Sequence, residues 1–315
     1  MNGIDISRRH YLDEVAPRLA GLPHAAALLG DGSEVLGYDD EVSTDHDFGK
    51  RVQIFWPRGE TVGAFFSARL GFDPGARVGV ADWLLTPTQI LAGLTRGAVF
   101  HDPDGELARY RAALRWYPDD VWRYALAAGW LKICQEAAFL ARAGDTGDEL
   151  GSRLVASRLA RELVRLAFLV ERRWAPYSKW LGRAFGELRL AGEAGPPLSA
   201  ALGAAHWRER EHLICTAGSV IAVATNELGL CPPVDPAPRQ YFDRDIRVLN
   251  AGRFTAALAG AITDPALRAV IGRLGRGRDG VPSLPGAVDQ AVDSSDVLTD
   301  PARFRAAAPM LGLVG

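Results

Sequence analysis

The chain has 315 residues, is 48% apolar and 23% charged, and carries a formal net charge of −2. That is an ordinary globular balance with ample material for a core, and its near neutrality argues against whole-chain attraction to nucleic acid or to an anionic membrane. No apolar run follows "MNGIDISRRHYLDE", and none elsewhere is long enough to span a bilayer, so a cytoplasmic protein with neither a membrane nor a nucleic-acid partner is expected.

The opening segment reads as an amphipathic helix with Ser7 as N-cap. Tyr11, Val15, Leu19 and Leu22 recur at helical spacing, and Pro17 predicts a break or kink. "HAAALLG" (24–30) is a short apolar run that suits a buried strand. "RVQIFW" (51–56) alternates in period two and suits a second strand. "VGAFFSARLGF" predicts a helix stopped near Gly71 and Pro74. "DWLLTPTQILAGLTRGAVFHDPDG" predicts a helix capped by Thr86 with Pro87 at its first position, then a short strand at 98–100 and a turn.

From about Glu106 the texture changes to Ala, Leu and Arg. "DVWRYALAAGWLKICQEAAFLARAG" and "ELGSRLVASRLARELVRLAFLVERRW" are long helices paired through the turn "GDTGDE". "LAGEAGPP" reads as a loop, "WREREHLICTAGSVIAVATNELGL" as another helix, and "CPPVDPAPRQYFDRD" as an irregular connection. "RFTAALAGAI" and "DPALRAVIGRLG" close the pattern as shorter helices. The expected fold is α+β: a small N-terminal α/β unit over 1–105, followed by a larger all-helical domain over 106–315. Cys134, Cys215 and Cys231 are far apart, show no ligand spacing, and read as reduced thiols.

Chemistry concentrates in "GDGSEVLGYDDEVSTDHDFG". A strand delivering Asp45 and Asp47 points both carboxylates to one face, because side chains alternate. Such a pair suits a hard cation like Mg²⁺ (or Mn²⁺), bound together with substrate phosphates. Gly32 and Ser33 upstream offer backbone N–H groups and a hydroxyl to those phosphates. The competing reading makes the Asp and Thr side chains local turn caps. His46 falls on the opposite face of such a strand and suits packing or the surface.

Gly32-Ser33, Gly37 and Thr44-Asp45-His46-Asp47 before an apolar strand resemble the pattern of the nucleotidyltransferase superfamily. Three longer stretches, "GSEVLGYDDEVSTDHDFG", "GDELGSRLVASRLARELVRLAFLVERRWAPYSKWLG" and "GAVDQAVDSSD", resemble the bacterial family DUF4037. The superfamily resemblance implies a nucleotidyltransferase-like N-terminal unit. It also implies transfer of a nucleoside monophosphate from ATP or another NTP as co-substrate (AMP where the co-substrate is ATP) to a hydroxyl of a small molecule or a protein. Asp45 and Asp47 would then hold Mg²⁺, with cations about 4 Å apart clamping the attacking and leaving oxygens. Gly32 and Ser33 would contact the triphosphate.

The superfamily pattern includes a third carboxylate on a following strand. Here only "PRGETVGAFF" follows the Asp-x-Asp strand, which leaves Glu60 and Asp82 as candidates for that catalytic role, with Asp82 also placed to begin a helix. Lys179 in "RRWAPYSKWLG", among Trp174, Tyr177 and Trp180, is the candidate phosphate contact from the helical part. The alternative is a helix-end packing cluster with the ammonium in solvent. Arg172 and Arg173 suit a helix C-terminus. Glu149 and Arg153 suit an i,i+4 ion pair, and Glu136 suits a helix surface. Asp289, Asp293 and Asp296 share a face if their segment is one helix, and Arg273, Arg276 and Arg278 lie in a Gly-rich stretch. A second functional expectation stands beside the enzyme: a catalytically degenerate nucleotide-binding or protein-interaction module lacking the third carboxylate. Nothing in the sequence specifies the acceptor or an oligomeric state.

Overall fold

The computed structural model describes residues 2–39, 49–277 and 280–313. The fold is α+β and mostly helical, as the apolar periodicity predicts. It opens with α1 (Gly3–His10), continued by a π-helical turn (Tyr11–Val15) and a 3₁₀ turn (Ala16–Leu19). Then come β1 (Ala25–Leu28), α2 (Ser33–Leu36), β2 (Gln53–Phe55) and α3 (Val62–Leu70). Helices α4 (Val80–Leu85) and α5 (Thr88–Thr95), strand β3 (Ala98–His101) and helix α6 (Glu106–Ala113) follow. The long helices α7 (Asp119–Asp145) and α8 (Glu149–Val170) precede α9 (Ser178–Phe185), α10 (Ala191–Gly203) and α11 (Trp207–Glu227). A two-stranded pair, β4 (Arg239–Gln240) and β5 (Arg247–Val248), leads to α12 (Gly252–Gly260) and α13 (Pro265–Leu274). The chain closes with α14 (Val288–Ala291), α15 (Ser295–Leu298) and α16 (Pro301–Arg305).

Two compact units divide the chain. The first comprises Met1–Tyr117, Pro176–Trp180 and Val292–Ala308, and the second Pro118–Ala175, Leu181–Ala291 and Pro309–Gly315.

The first unit is built on a three-stranded antiparallel sheet in the order β2-β1-β3. Both edges of β1 are paired, with Ala26 opposite Ile54 and Ala27 opposite Val99. All four of its residues are buried, so it needs no polar alternation. Helix α3 supplies the aromatic core: Phe65 meets Phe55 edge-on at 5.1 Å between centroids, and Phe66 lies 5.2 Å from Tyr110. Both phenylalanines are fully buried, and truncating either to alanine costs about 3–5 kcal/mol. Thr61 caps α3 by accepting the N–H of Ala64, and Gly71 ends it in the left-handed region.

Two caps differ from the sequence expectation. The N-cap of α1 is Asn2, whose side chain accepts the N–H of Asp5. Ser7 is instead buried inside the helix, donating to the carbonyl of Gly49 and accepting the N–H of Arg51. Thr86 does not cap α5 either; its hydroxyl donates back to the carbonyl of Asp82 and ends α4. At Pro17 the α pattern is already lost, because proline lacks the N–H the ladder requires.

In the second unit α7 and α8 pack against each other across a tight turn, where Asp148 caps α8 by accepting the N–H of Gly151. Close approach uses glycine: a Cβ on Gly129 would strike Leu166, and one on Gly144 would strike Trp207. Trp122 and Trp130 are fully buried. The indole N–H of Trp122 donates to the carbonyl of Leu169 at 2.8 Å, and Trp130 stacks on Phe254 at 4.7 Å.

Four further expectations are corrected here. "LAGEAGPP" is not a loop, because Ala191–Pro197 opens α10 with Pro196 and Pro197 inside the helix. The Glu171 carboxylate accepts the N–H groups of Arg189 and Leu190 at its entry, while burial of Ala194, Leu198 and Ala201 offsets the lost backbone bonds. The supposedly irregular connection, 231–245, contains strand β4, which pairs with β5 just beyond its end. Glu149 does not pair with Arg153; it reaches Arg210 at 2.5 Å, because that guanidinium is wholly buried and requires a carboxylate. Finally, Asp289 and Asp296 sit on separate short helices, α14 and α15, so no single helical face carries the three acids. Asp289 is buried against Arg165 at 2.7 Å, and Asp296 lies 3.7 Å from Arg303. No helix among the described residues is long and apolar enough to cross a membrane.

Candidate functional site

Leaving the sheet, β1 enters the turn Gly30-Asp31-Gly32-Ser33. Gly30 and Gly32 have φ of 95° and 127°, a region that side-chained residues rarely adopt. The amide of Gly30 donates to the carbonyl of Gly93 at 2.9 Å, and a Cβ on Gly93 would collide with that turn. The turn is therefore held against α5 by a contact that only glycine permits. Gln53 on β2 fastens the strand end from the other side, exchanging hydrogen bonds with both backbone groups of Leu29 at 2.9 and 3.0 Å.

A second fastening comes from Glu34, which is buried and paired with Arg51. Burial pushes the Glu34 carboxyl upward, and the adjacent guanidinium opposes that shift. The same guanidinium donates to the carbonyl of Asp31 at 2.8 Å. In the sequence the only trace of this pair is a carboxylate lodged in the short apolar run "SEVLG".

Ser33 and the segment Pro176–Trp180 meet within the first unit. The indole N–H of Trp180 lies 3.1 Å from the Ser33 hydroxyl and 2.7 Å from that of Tyr177, both acting as acceptors. The ring of Trp180 lies 5.5 Å from Tyr38, whose hydroxyl accepts from Arg96 at 2.8 Å. The ammonium of exposed Lys179 stands 4.8 Å from the Trp180 ring centroid, within cation–π range. Ser33 and Lys179, both raised from the sequence as phosphate contacts, thus each lie against one buried indole.

The remaining candidates fare differently. Asp45 and Asp47, with Thr44 and His46, lie outside the described residues. Asp82 occupies the third position of α4, accepts the N–H of Gly79 at 3.0 Å as a cap, and pairs with Arg305 at 3.0 Å. Glu60 is exposed between β2 and α3, with its carbonyl accepting the N–H of Trp56. Glu136 pairs with Arg158 at 2.7 Å on the helix surface. Arg172 lies over the Trp122 ring at 4.3 Å, and Arg173 reaches Glu187 at 2.8 Å, as befits residues at a helix end. Arg273 donates to the carbonyl of Gly312 and Arg276 to that of Gly280, while Arg278 is outside the described residues.

Taken together, the described part of the site offers a hydroxyl, an ammonium and a glycine turn around an aromatic post, a set suited to a polyanion. Residues 83–181 match the family model described as Domain of unknown function (DUF4037), the family that the sequence resembles. Lys179 and Trp180 fall inside that match, whereas Gly32, Ser33, Asp45, Asp47, Glu60 and Asp82 fall outside it. No curated protein and no solved structure matches the chain.

Proposed function

We propose that the chain is a nucleotidyltransferase that moves a nucleoside monophosphate, AMP from ATP, to a hydroxyl of a small molecule or protein with Mg²⁺ as cofactor. The nucleotidyltransferase-like unit is the N-terminal one, and its phosphate contacts are the Gly32–Ser33 turn and Lys179. The observation that carries this reading is the 3.1 Å approach of Trp180 to Ser33, which brings the Lys179 segment to the glycine turn. Because Ser33 accepts from the indole, its own hydroxyl hydrogen is left to aim at a phosphate oxygen. Lys179 contributes a compact charge at the same place.

In the reaction, a bond forms between the acceptor oxygen and the α-phosphorus while the bond to pyrophosphate breaks, and the acceptor's proton leaves to a base. Asp45 and Asp47 are the residues proposed to hold the divalent cation, which when bound neutralises phosphate charge. The chain's own part is positioning and charge complementarity. Pyrophosphate release from labelled NTPs tests it directly: release in wild-type protein, abolished in Asp45→Asn with Asp47→Asn, is the expected result. If nucleotide binding with Mg²⁺ is unchanged in that double variant, the metal assignment is wrong.

A specific observation favours a second reading, in which the chain binds a nucleotide without turning it over. The Asp82 carboxylate is already engaged by Arg305 and by the cap of its own helix. Saturable NTP binding with no pyrophosphate release across a broad acceptor panel would select this second reading.

A further inference from the structure

Arg69 on α3 is half-buried, and its guanidinium carbon lies 3.6 Å from the centroid of the Phe65 ring. One N–H of its Nη1 donates to the Phe65 carbonyl at 3.2 Å. Among the described residues no carboxylate forms an ion pair with it; Asp31 and Glu60 act on it only from farther away. A guanidinium carries five donors and keeps its charge even where burial disfavours it, so this cation has donors to spare in a partly desolvated place.

Those donors border a cavity of about 260 Å³ lined by Gly30, Asp31, Ala68, Arg69, Leu94 and Thr299, among others, all within the first unit. Its walls are fixed independently. Gly30 is tied to Gly93, and Gln89 donates to the carbonyl of Leu298 at 3.3 Å next to Thr299. Arg305 meets the carbonyl of Leu70 at 3.5 Å at the end of α3. Pockets for drug-sized ligands start at about 300 Å³, so this one takes a small group rather than a whole nucleotide. Arg69 is the one cation among its lining residues, and its planar fork matches two oxygens of a carboxylate or phosphate.

We propose that this cavity is an oxyanion subsite, in which Arg69 clamps the carboxylate or phosphate group of a small ligand. The assignment rests on Arg69 and the cavity and does not require nucleotidyl transfer. Asp31, exposed in the lining, opposes any anion bound there, so the attraction has to come from the fork of Arg69.

The test is titration of the full chain with inorganic phosphate and, separately, with acetate at constant ionic strength. It is read by calorimetry and by the Nε–H resonance of Arg69, which is identified by its absence in Arg69→Lys. Saturable binding that moves this resonance is expected, about ten-fold weaker or more in Arg69→Gln and intermediate in Arg69→Lys. Ala68→Phe fills the cavity from an exposed helical position while leaving Arg69 in place, and is expected to weaken binding equally. Tighter binding of phosphate identifies a phosphate ester and tighter binding of acetate a carboxylate; either supports the subsite. Affinity unchanged in both Arg69→Gln and Ala68→Phe, or no saturable binding of either probe by wild-type protein, overturns it.

Discussion

The indole N–H of Trp180 is held 3.1 Å from the hydroxyl of Ser33, although the two residues stand 147 positions apart in the chain. This one bond joins the glycine turn after β1 to the only lysine proposed for the site. Replacing Trp180 with phenylalanine keeps an apolar ring but deletes the donor. Affinity for ATP with Mg²⁺ is expected to fall about five- to ten-fold, with a stability loss of about 1 kcal/mol, the usual worth of such a bond. Calorimetric titration beside urea denaturation separates the two effects; an unchanged affinity removes Trp180 from the site.

Asp82 and Arg305 supply a second test, because the sequence named Asp82 for catalysis and the fold gives it structural partners. Side-chain exposures of 21% and 29% place the pair at a partly wet surface. A double-mutant cycle with Asp82→Ala and Arg305→Ala is expected to show a coupling of about 0.5–1 kcal/mol in urea denaturation. If Asp82→Asn also abolishes pyrophosphate release while leaving stability unchanged, the structural assignment is wrong and the catalytic one is right.

Arg210 is wholly buried in the second unit, and its guanidinium is met by Glu149 at 2.5 Å, Ser152 at 2.6 Å and the carbonyl of Ala205 at 3.1 Å. Removing the carboxylate strands a buried charge. Glu149→Ala is therefore expected to cost about 3 kcal/mol, whereas Arg153→Ala, four residues along α8 and not in that pair, should cost well under 1 kcal/mol. Equal losses in the two variants, by chemical denaturation, would refute the pairing seen here.

Burial pushes the Cys215 thiol up to about 12 from its ordinary 9.0, with Glu211 adding to the shift. A thiol so placed stays protonated in the native protein, while the unfolded chain ionises near the ordinary value. Protons are then lost on unfolding, so this contribution to stability is intact below about pH 9 and declines as pH rises from 9 toward 12. Cys215→Ala should flatten the alkaline limb of a stability-versus-pH curve. At pH 8 a thiol reagent should leave Cys215 unmodified until denaturant is added.

Much of the fold could be read from local pattern. Helices α7, α8 and α11 and strand β2 fall where the apolar residues recur with the matching period, and β1 falls in an unbroken apolar run, because burial imposes these patterns whatever the element packs against. Errors cluster where a side chain has several possible partners. Ser7, Thr86 and Glu149 each carry a group able to satisfy a neighbour in sequence, and each is engaged elsewhere: at Gly49, at the carbonyl of Asp82, and at Arg210. Pro196 and Pro197 misled for a related reason, since local propensity disfavours them in a helix and packing on the rest of the unit overrides it.

For the site, residue type and spacing along the chain were enough to raise Gly32, Ser33 and Lys179 as phosphate contacts, because glycine freedom, a hydroxyl and an ammonium are properties of single residues. Their common post at Trp180, the commitment of Asp82 to Arg305, and the guanidinium of Arg69, without a carboxylate partner among the described residues, beside a cavity emerged from folding alone. The first two depend on which distant segments the packed chain brings within about 3 Å of one another, the range over which hydrogen bonds and ion pairs act, and the third on which segments close a cavity around the guanidinium.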